Sequence, residues 1–346
     1  MKKSYKLNVL ICIISGLIVG SFVFFSTDAE NLAKNWRTLD FRWIAAAVLF
    51  MVVYWLLEAA ILHVMIRPLH KDIKFSGTFR VSMGGQFFNC ITPFASGGQP
   101  FQANALVKQG VRLGVALNGL LAKFIVYQAS LVIVSAAMLI LRLDYFRQTV
   151  NSFVFIVIIG FLINLAVMAA LVGFALFPNT SRRFYRWLIN LLSKMHILKK
   201  PEEKIEYFDA EIQKFRDCFR ETIKNVTVLI YSFVLSILQL IAYMSVSYAI
   251  YRAFGISDTG FITIIAAQSF VMMISAFIPI PGAGLGAEGA FFIFFSRFFP
   301  LDGQVGLALV LWRVITFYLT IVVGLFFVLR GGKRKETDFA EAAEEK

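Results

Sequence analysis

Five charged side chains interrupt long apolar stretches of the sequence and are the first candidates for chemistry. They are Glu58, Arg80, Lys123, Glu288 and Arg313. A charge among apolar residues is costly unless it is paired or hydrated, so such residues commonly mark a binding site or a transport pathway. The three bases can hold a phosphate, because desolvated guanidinium and ammonium groups offset its charge. Glu288 and the secondary candidate Glu58 can bind a cationic headgroup or balance these bases.

Two glycine-rich turns precede candidate helices and offer a second kind of phosphate ligand. The first turn occupies residues 96–102 and the second occupies residues 281–286. Free backbone N–H groups at the start of a helix bind anions, and a phosphodiester is the obvious anion in a membrane. The candidate ligands in and around the turns are Asn89, Gly97, Gly98, Gln99, Gln102, Pro281, Gly282, Gly284 and Gly286. Gly-rich turns are also common without a ligand, and Glu288 is equally suited to capping the helix that follows.

The composition indicates that membrane-spanning helices hold these residues. Of the 346 residues, 59% are hydrophobic and only 16% are charged, and the mean hydropathy is +0.74. A soluble globule needs about a quarter of its residues charged, and a disordered chain contains far fewer apolar residues than this one. We therefore predict an all-α, polytopic integral membrane protein.

Hydropathy divides the chain into eight apolar segments. The predicted full spans are 7–25, 43–66, 114–141, 152–177, 226–251 and 306–329. Segments 79–106 and 261–299 are broken by Pro and clustered Gly, so each predicts a re-entrant hairpin of two short helices. Residues 1–150 and 151–330 show the same order of spans and hairpin, which predicts an inverted repeat of the kind found in transporters. A chance similarity of hydropathy is the alternative.

Basic residues determine the predicted orientation. The chain has 34 Lys and Arg against 21 Asp and Glu, a formal net charge of +13. Because bases gather in cytoplasmic loops and attract anionic lipids, this charge does not indicate nucleic-acid binding. We predict a protein of the cell membrane with both termini cytoplasmic. Two amphipathic helices within 181–222 and a charged tail at 331–346 belong to the same cytoplasmic face.

Patterns typical of enzymes and metal sites are missing from the sequence. It contains no Ser/His/Asp set and no Walker motif, and its three cysteines and three histidines lack the spacing of metal ligands. We expect no catalytic residue, no cofactor and no metal. The expected partner is a membrane phospholipid or another lipid-linked substrate. A homo-oligomer and a separate lipid-synthesising enzyme are both compatible with the sequence.

Three motifs resemble the transmembrane region of the lysylphosphatidylglycerol synthase and flippase family, over residues 7–330. The motifs are Asn89-Cys-Ile-Thr-Pro93 leading to Gly97-Gly98-Gln99, then Pro281-Gly-Ala-Gly-Leu-Gly-Ala-Glu288-Gly289, then Leu311-Trp-Arg313. Family members often carry Glu where Gln99 stands, so the resemblance does not extend to an acidic headgroup contact at that position.

The resemblance implies lipid flipping between leaflets, a function connected with antibiotic resistance. Members with lysyltransferase activity join such a membrane region to a large cytosolic domain, which this sequence lacks. The cargo implied is lysyl- or another aminoacyl-phosphatidylglycerol, another phospholipid, or a polyprenyl-phosphate-linked sugar. Two alternatives stay open: a phosphatidylglycerol lysyltransferase, as the family name suggests, and a membrane scaffold without transport.

Overall fold

The computed structural model describes residues 35–149, 153–176, 224–275, 286–301 and 303–330, together with positions 183, 187 and 189. Within these residues the chain is helical and contains no strand, so the all-α prediction is confirmed there. The main helices are α1 (Phe41–Ile66), α2 (Phe75–Ile91), α3 (Gly98–Val107), α4 (Leu113–Thr149), α5 (Phe153–Leu176), α6 (Val226–Ala253), α7 (Phe261–Ser275), α8 (Gly286–Phe295) and α9 (Gln304–Arg330). Short 3₁₀ turns follow α2 at Pro93–Ala95 and α8 at Ser296–Phe298.

Four of these helices are long and apolar enough to cross a membrane: α1, α4, α6 and α9. Each exceeds the roughly 20 residues needed to cross a hydrocarbon layer about 30 Å thick. Shorter apolar helices occupy Val157–Ala169 within α5 and Phe261–Ser275. The predicted span 7–25 and the tail 331–346 lie outside the described residues, as does nearly all of 181–222. The number of spans and the re-entry of the hairpins therefore stay predictions.

Helices α2 and α3 are separated by a sharp break at the predicted position. Thr92 precedes a proline and is extended, with φ −118° and ψ 145°, which ends α2. Phe94 and Ala95 then take left-handed φ values of 53° and 51°, a strained conformation for residues with a Cβ. The Thr92 hydroxyl accepts a hydrogen bond from the Gly97 amide at 2.8 Å, and this contact holds the turn.

Small residues allow α3 to pack directly against α2. A Cβ added at Gly98 would lie 2.0 Å from Asn89 Oδ1 and 2.7 Å from the backbone oxygen of Gly85. A Cβ at Gly85 would in turn meet the buried side chain of Gln102 at 2.3 Å. The glycines of the first turn therefore have a packing role, whatever ligand the turn binds.

The centre of the molecule is an antiparallel pair formed by α1 and α6. At one end the Asp40 amide, which precedes α1, donates to the carbonyl of Ala253 at 2.8 Å. Further along the pair, Trp43 meets Tyr248 edge-to-face with ring centroids 6.1 Å apart. Helix α4 packs on both members of the pair.

The helices before and after position 150 make matching contacts. In the first set α1 contacts α2, α2 contacts α3, α3 contacts α4, and α4 returns to α1. In the second set α6 contacts α7, α7 contacts α8, α8 contacts α9, and α9 returns to α6. This is the pattern that an inverted repeat would produce, and the repeat stays a prediction.

Helix α4 is longer than the sequence indicates. The predicted span ended at residue 141 because Arg142, Asp144 and Arg147 lower the hydropathy there. The helix continues to Thr149 with one non-helical residue at Arg142, where φ is −132°. Phe146 explains the extension, because it is 1% exposed and its ring packs edge-to-face on those of Phe270 and Phe294.

Candidate substrate site

Glu58 is the point where three helices meet. Lys123 of α4 forms an ion pair with Oε1 of this α1 carboxylate, and the Gln239 amide of α6 donates to Oε2 at 2.8 Å. The exposed fractions of Glu58, Lys123 and Gln239 are 6%, 8% and 0%. A carboxylate that has lost its water is tolerated only when partners of this kind compensate it. Both oxygens of Glu58 are thus compensated.

Glu288 and Arg313 form a second buried ion pair. Arg313 Nη2 lies 2.8 Å from Glu288 Oε1, and the two side chains are 8% and 12% exposed. Glu288 lies in the first turn of α8, where the helix dipole favours a negative charge. The Arg313 guanidinium lies over the rings of Trp312 and Phe317, 4.9 and 5.5 Å from their centroids.

Arg313 also precedes a local widening of its helix. Residues Val314–Tyr318 form a π-helical segment within α9. Such segments are rare and occur frequently at functional sites. Two hydroxyls satisfy carbonyls there: Thr316 donates to the Trp312 oxygen at 2.6 Å and Thr320 donates to the Thr316 oxygen at 2.7 Å. Hydropathy gives no sign of this segment, because it depends on hydrogen-bond geometry.

Three tyrosines connect the two ion pairs. Tyr54 of α1 and Tyr243 of α6 face each other with ring centroids 5.4 Å apart. Tyr54 and Tyr127, which is on α4, lie within electrostatic range of Glu58. Tyr243 lies close to the Thr316 side chain and within electrostatic range of Arg313. Sequence reasoning missed these tyrosines, because an uncharged aromatic residue in an apolar helix resembles ordinary core.

The other predicted site residues are distributed along the first broken segment. Arg80 is exposed on α2, and no described carboxylate pairs with it. Gln99 is exposed, Asn89 is half-buried against Gly98, and Gln102 is buried against Gly85. The Gly97 amide is occupied by the Thr92 hydroxyl.

Of the second glycine-rich turn, only the last residue lies within the described part of the chain. Pro281, Gly282 and Gly284 lie outside the described residues, whereas Gly286 begins α8 two residues before Glu288. The structure thus brings together Glu58 with Lys123 and Glu288 with Arg313. Among the residues it describes, no three His, Cys, Asp or Glu side chains lie close enough to hold a metal ion.

Long apolar helices that enclose compensated charges define a multi-pass integral membrane protein, and sequence comparison agrees. The chain belongs to the family described as the lysylphosphatidylglycerol synthase TM region, whose profile matches residues 12–324. It is also similar to a UPF0104 membrane protein of Archaeoglobus fulgidus, with 26% identity over 324 residues. That alignment covers 92% of this chain and 95% of the relative. The resemblance inferred from the motifs is therefore confirmed.

Proposed function

We propose that this protein moves a phospholipid, or another lipid-linked phosphate, between the leaflets of the cell membrane. The observation that carries the proposal is the pair of buried ion pairs, Glu58–Lys123 and Glu288–Arg313, joined by tyrosines. A phosphate cannot cross hydrocarbon without charged or polar partners, and buried charges in apolar helices commonly mark a transport pathway. The carboxylates keep the bases compensated while no lipid is bound.

The geometry supports a mechanism in which ion-pair partners are exchanged. A phosphate that reaches Arg313 replaces the Glu288 carboxylate, because a guanidinium binds either group through parallel N–H donors. Glu288 stays stabilised by the N-terminus of α8 during the exchange. Lys123 offers the second phosphate contact, since Gln239 continues to hold Glu58 when the ammonium turns away.

The broken segments are proposed to deliver the headgroup to these pairs. Arg80 is exposed on α2 and is suited to collect a phosphate from the membrane surface. The break between α2 and α3, around which Asn89, Gly97, Gly98 and Gln99 lie, has strained backbone at Phe94, and such strain is concentrated at functional sites. The glycine-rich sequence 281–286 is expected to offer backbone N–H groups to the same headgroup.

Exposed basic residues at both ends of the first broken segment support an orientation with cytoplasmic termini. The loops that flank the first broken segment are near one another, because Gln109 in the loop after α3 donates its side-chain amide to the oxygen of Gly77 in the first turn of α2 at 3.4 Å. Exposed Lys71, Lys74 and Lys108 belong to these loops or their borders. Bases of this kind are retained on the cytoplasmic side of a membrane.

Reconstitution of the protein into liposomes identifies the cargo lipid and distinguishes lipid transport from the competing functions. Because of the family description, lysyl-phosphatidylglycerol or another aminoacyl-phosphatidylglycerol is the first cargo to test. Transport of such a lipid would connect the protein with antibiotic resistance. We expect the purified protein to make an acyl-chain NBD-phospholipid in the inner leaflet accessible to dithionite, relative to protein-free liposomes. The matched control is Gly173→Ala, since a Cβ at Gly173 on α5 meets nothing within 4 Å.

Two outcomes would favour another function. Formation of lysyl-phosphatidylglycerol from lysyl-tRNA and phosphatidylglycerol, with no other protein present, would favour the transferase. No scrambling of any lipid, with Glu288→Gln and Arg313→Gln changing only the yield of folded protein, would favour a scaffold. Scrambling that is lost in both variants at matched folded protein supports the transporter.

A further inference from the structure

Three tyrosines lie around the buried carboxylate of Glu58. Tyr54, Tyr127 and Tyr243 come from three different helices, and the first and last of them pack with their rings tilted by 54°. Each is half-buried, although Gln239 close to them is fully buried. Part of each tyrosine is therefore exposed, whereas the carboxylate near them is buried.

Gln239 contributes an acceptor that has no donor among the described residues. Its Nε2 group is directed at Glu58, because a carboxylate can only accept a hydrogen bond. This orientation leaves Oε1 as an acceptor, and that atom is buried without a hydrogen-bond partner in the described part of the chain. Buried acceptors are normally satisfied. A donor is therefore expected at this position.

The chemistry of the cluster suits an alkylammonium group better than a phosphate. Aromatic ring faces carry negative charge density and attract cations that lie over them. A carboxylate oxygen and an amide oxygen add two acceptors beside the rings. A phosphate offers no donor to Gln239 Oε1, which would stay unsatisfied, and it is repelled by the negative charge of Glu58.

The balance of buried charge points to the same class of headgroup. Glu58 and Glu288 are matched by Lys123 and Arg313, so the two ion pairs together carry no net charge. A headgroup with a phosphate alone would add one uncompensated negative charge to this interior. A headgroup in which one amine balances one phosphate exchanges partners with both pairs and leaves the buried charge unchanged.

We propose that Tyr54, Tyr127 and Tyr243, with Glu58 and Gln239, form a binding site for the amine of a zwitterionic phospholipid headgroup. The inference rests on the proposed lipid transport and adds a preference for headgroups of zero net charge. The phosphate of the same headgroup goes to Arg313, which Tyr243 adjoins. Tyr243 is thus near the proposed phosphate site and packs against Tyr54 of the proposed amine site.

The first test uses the unmodified protein with three cargo lipids that differ in net charge. Each carries NBD on an acyl chain, so that the headgroup is intact: phosphatidylethanolamine, phosphatidylglycerol and lysyl-phosphatidylglycerol. We expect phosphatidylethanolamine to be scrambled fastest. Equal rates for all three lipids, or a faster rate for either charged lipid, would overturn the inference and leave the transport function intact. Scrambling of none of them would remove the transport function itself.

The second test asks whether the tyrosines cause the preference. Tyr54→Leu and Tyr127→Leu are each expected to slow scrambling of phosphatidylethanolamine by about tenfold, the effect of losing one desolvated cation–π contact. Phosphatidylglycerol should be affected much less, whereas Tyr54→Phe should retain most of the activity because it keeps the ring. A uniform loss for every lipid in the Leu variants, together with full activity in Gly173→Ala, would show a packing role and contradict the inference.

Discussion

Gln239 and Glu58 are 181 positions apart in the chain, yet the amide of one donates to the carboxylate of the other at 2.8 Å. The contact joins α6 to α1 at the level where Lys123 reaches the same carboxylate from α4. A single buried acid thus holds together helices from both halves of the molecule, and its partners should be tightly coupled in stability and in transport.

Removal of Lys123 alone should destabilise the protein more than removal of the whole pair. Lys123→Met leaves Glu58 as a buried charge without its base, at a cost of about 3–5 kcal/mol. Lys123→Met combined with Glu58→Gln should recover a large part of that loss, because a neutral amide can still accept from Gln239. Thermal unfolding in detergent measures both variants. Additive losses in the double variant would contradict a direct interaction.

Arg313→Lys tests whether the Glu288–Arg313 pair needs only the positive charge of Arg313 or also the shape of its guanidinium. Lysine keeps the positive charge near Glu288, but it loses the planar guanidinium stacked on Trp312 and Phe317. We expect a normal yield of folded protein and a scrambling rate about tenfold lower, because an ammonium cannot bind a phosphate through two parallel N–H donors. Wild-type rates would exclude the guanidinium as the phosphate ligand.

Gly98→Ala should disrupt the packing of α3 on α2. The new methyl group would meet the Gly85 backbone oxygen at 2.7 Å, and backbone cannot move aside as a flexible side chain can. Overpacking of this kind costs about 1–3 kcal/mol. The matched control is Gly289→Ala, where a Cβ meets nothing within 4 Å. Unfolding temperatures in detergent compare the two, and equal values would show that α2 and α3 separate without cost.

Cysteine labelling should place each pair of flanking loops on one face of the membrane. Asp72, Lys108, Ser257 and Leu301 are all exposed, so cysteine at each position will react with an impermeant maleimide. We expect Asp72→Cys and Lys108→Cys to react from the cytoplasmic side, and Ser257→Cys and Leu301→Cys to react from the other side. If either pair reacts from opposite faces, the corresponding broken segment crosses the membrane completely.

The break between α2 and α3 could be predicted from the sequence because its cause is local. Proline cannot continue a helix and constrains the residue before it, so the end of α2 next to Pro93 follows from covalent geometry. The apolar helices α1, α6 and α9 likewise follow from hydropathy, since lipid accepts only long runs of apolar residues. The extension of α4 to Thr149 did not follow, because it depends on a distant contact between Phe146 and Phe270.

The five charges could also be predicted as candidates from the sequence alone, because each is costly in an apolar segment. Sequence alone determined that Glu58, Lys123, Glu288 and Arg313 need compensation. Only the tertiary structure decided which acid compensates which base, because the partners in the first pair are 65 positions apart and no local pattern relates them. It also decided the positions of Gln239 and the tyrosines, because nothing in the sequence of these uncharged residues shows that packing brings them close to a charged group.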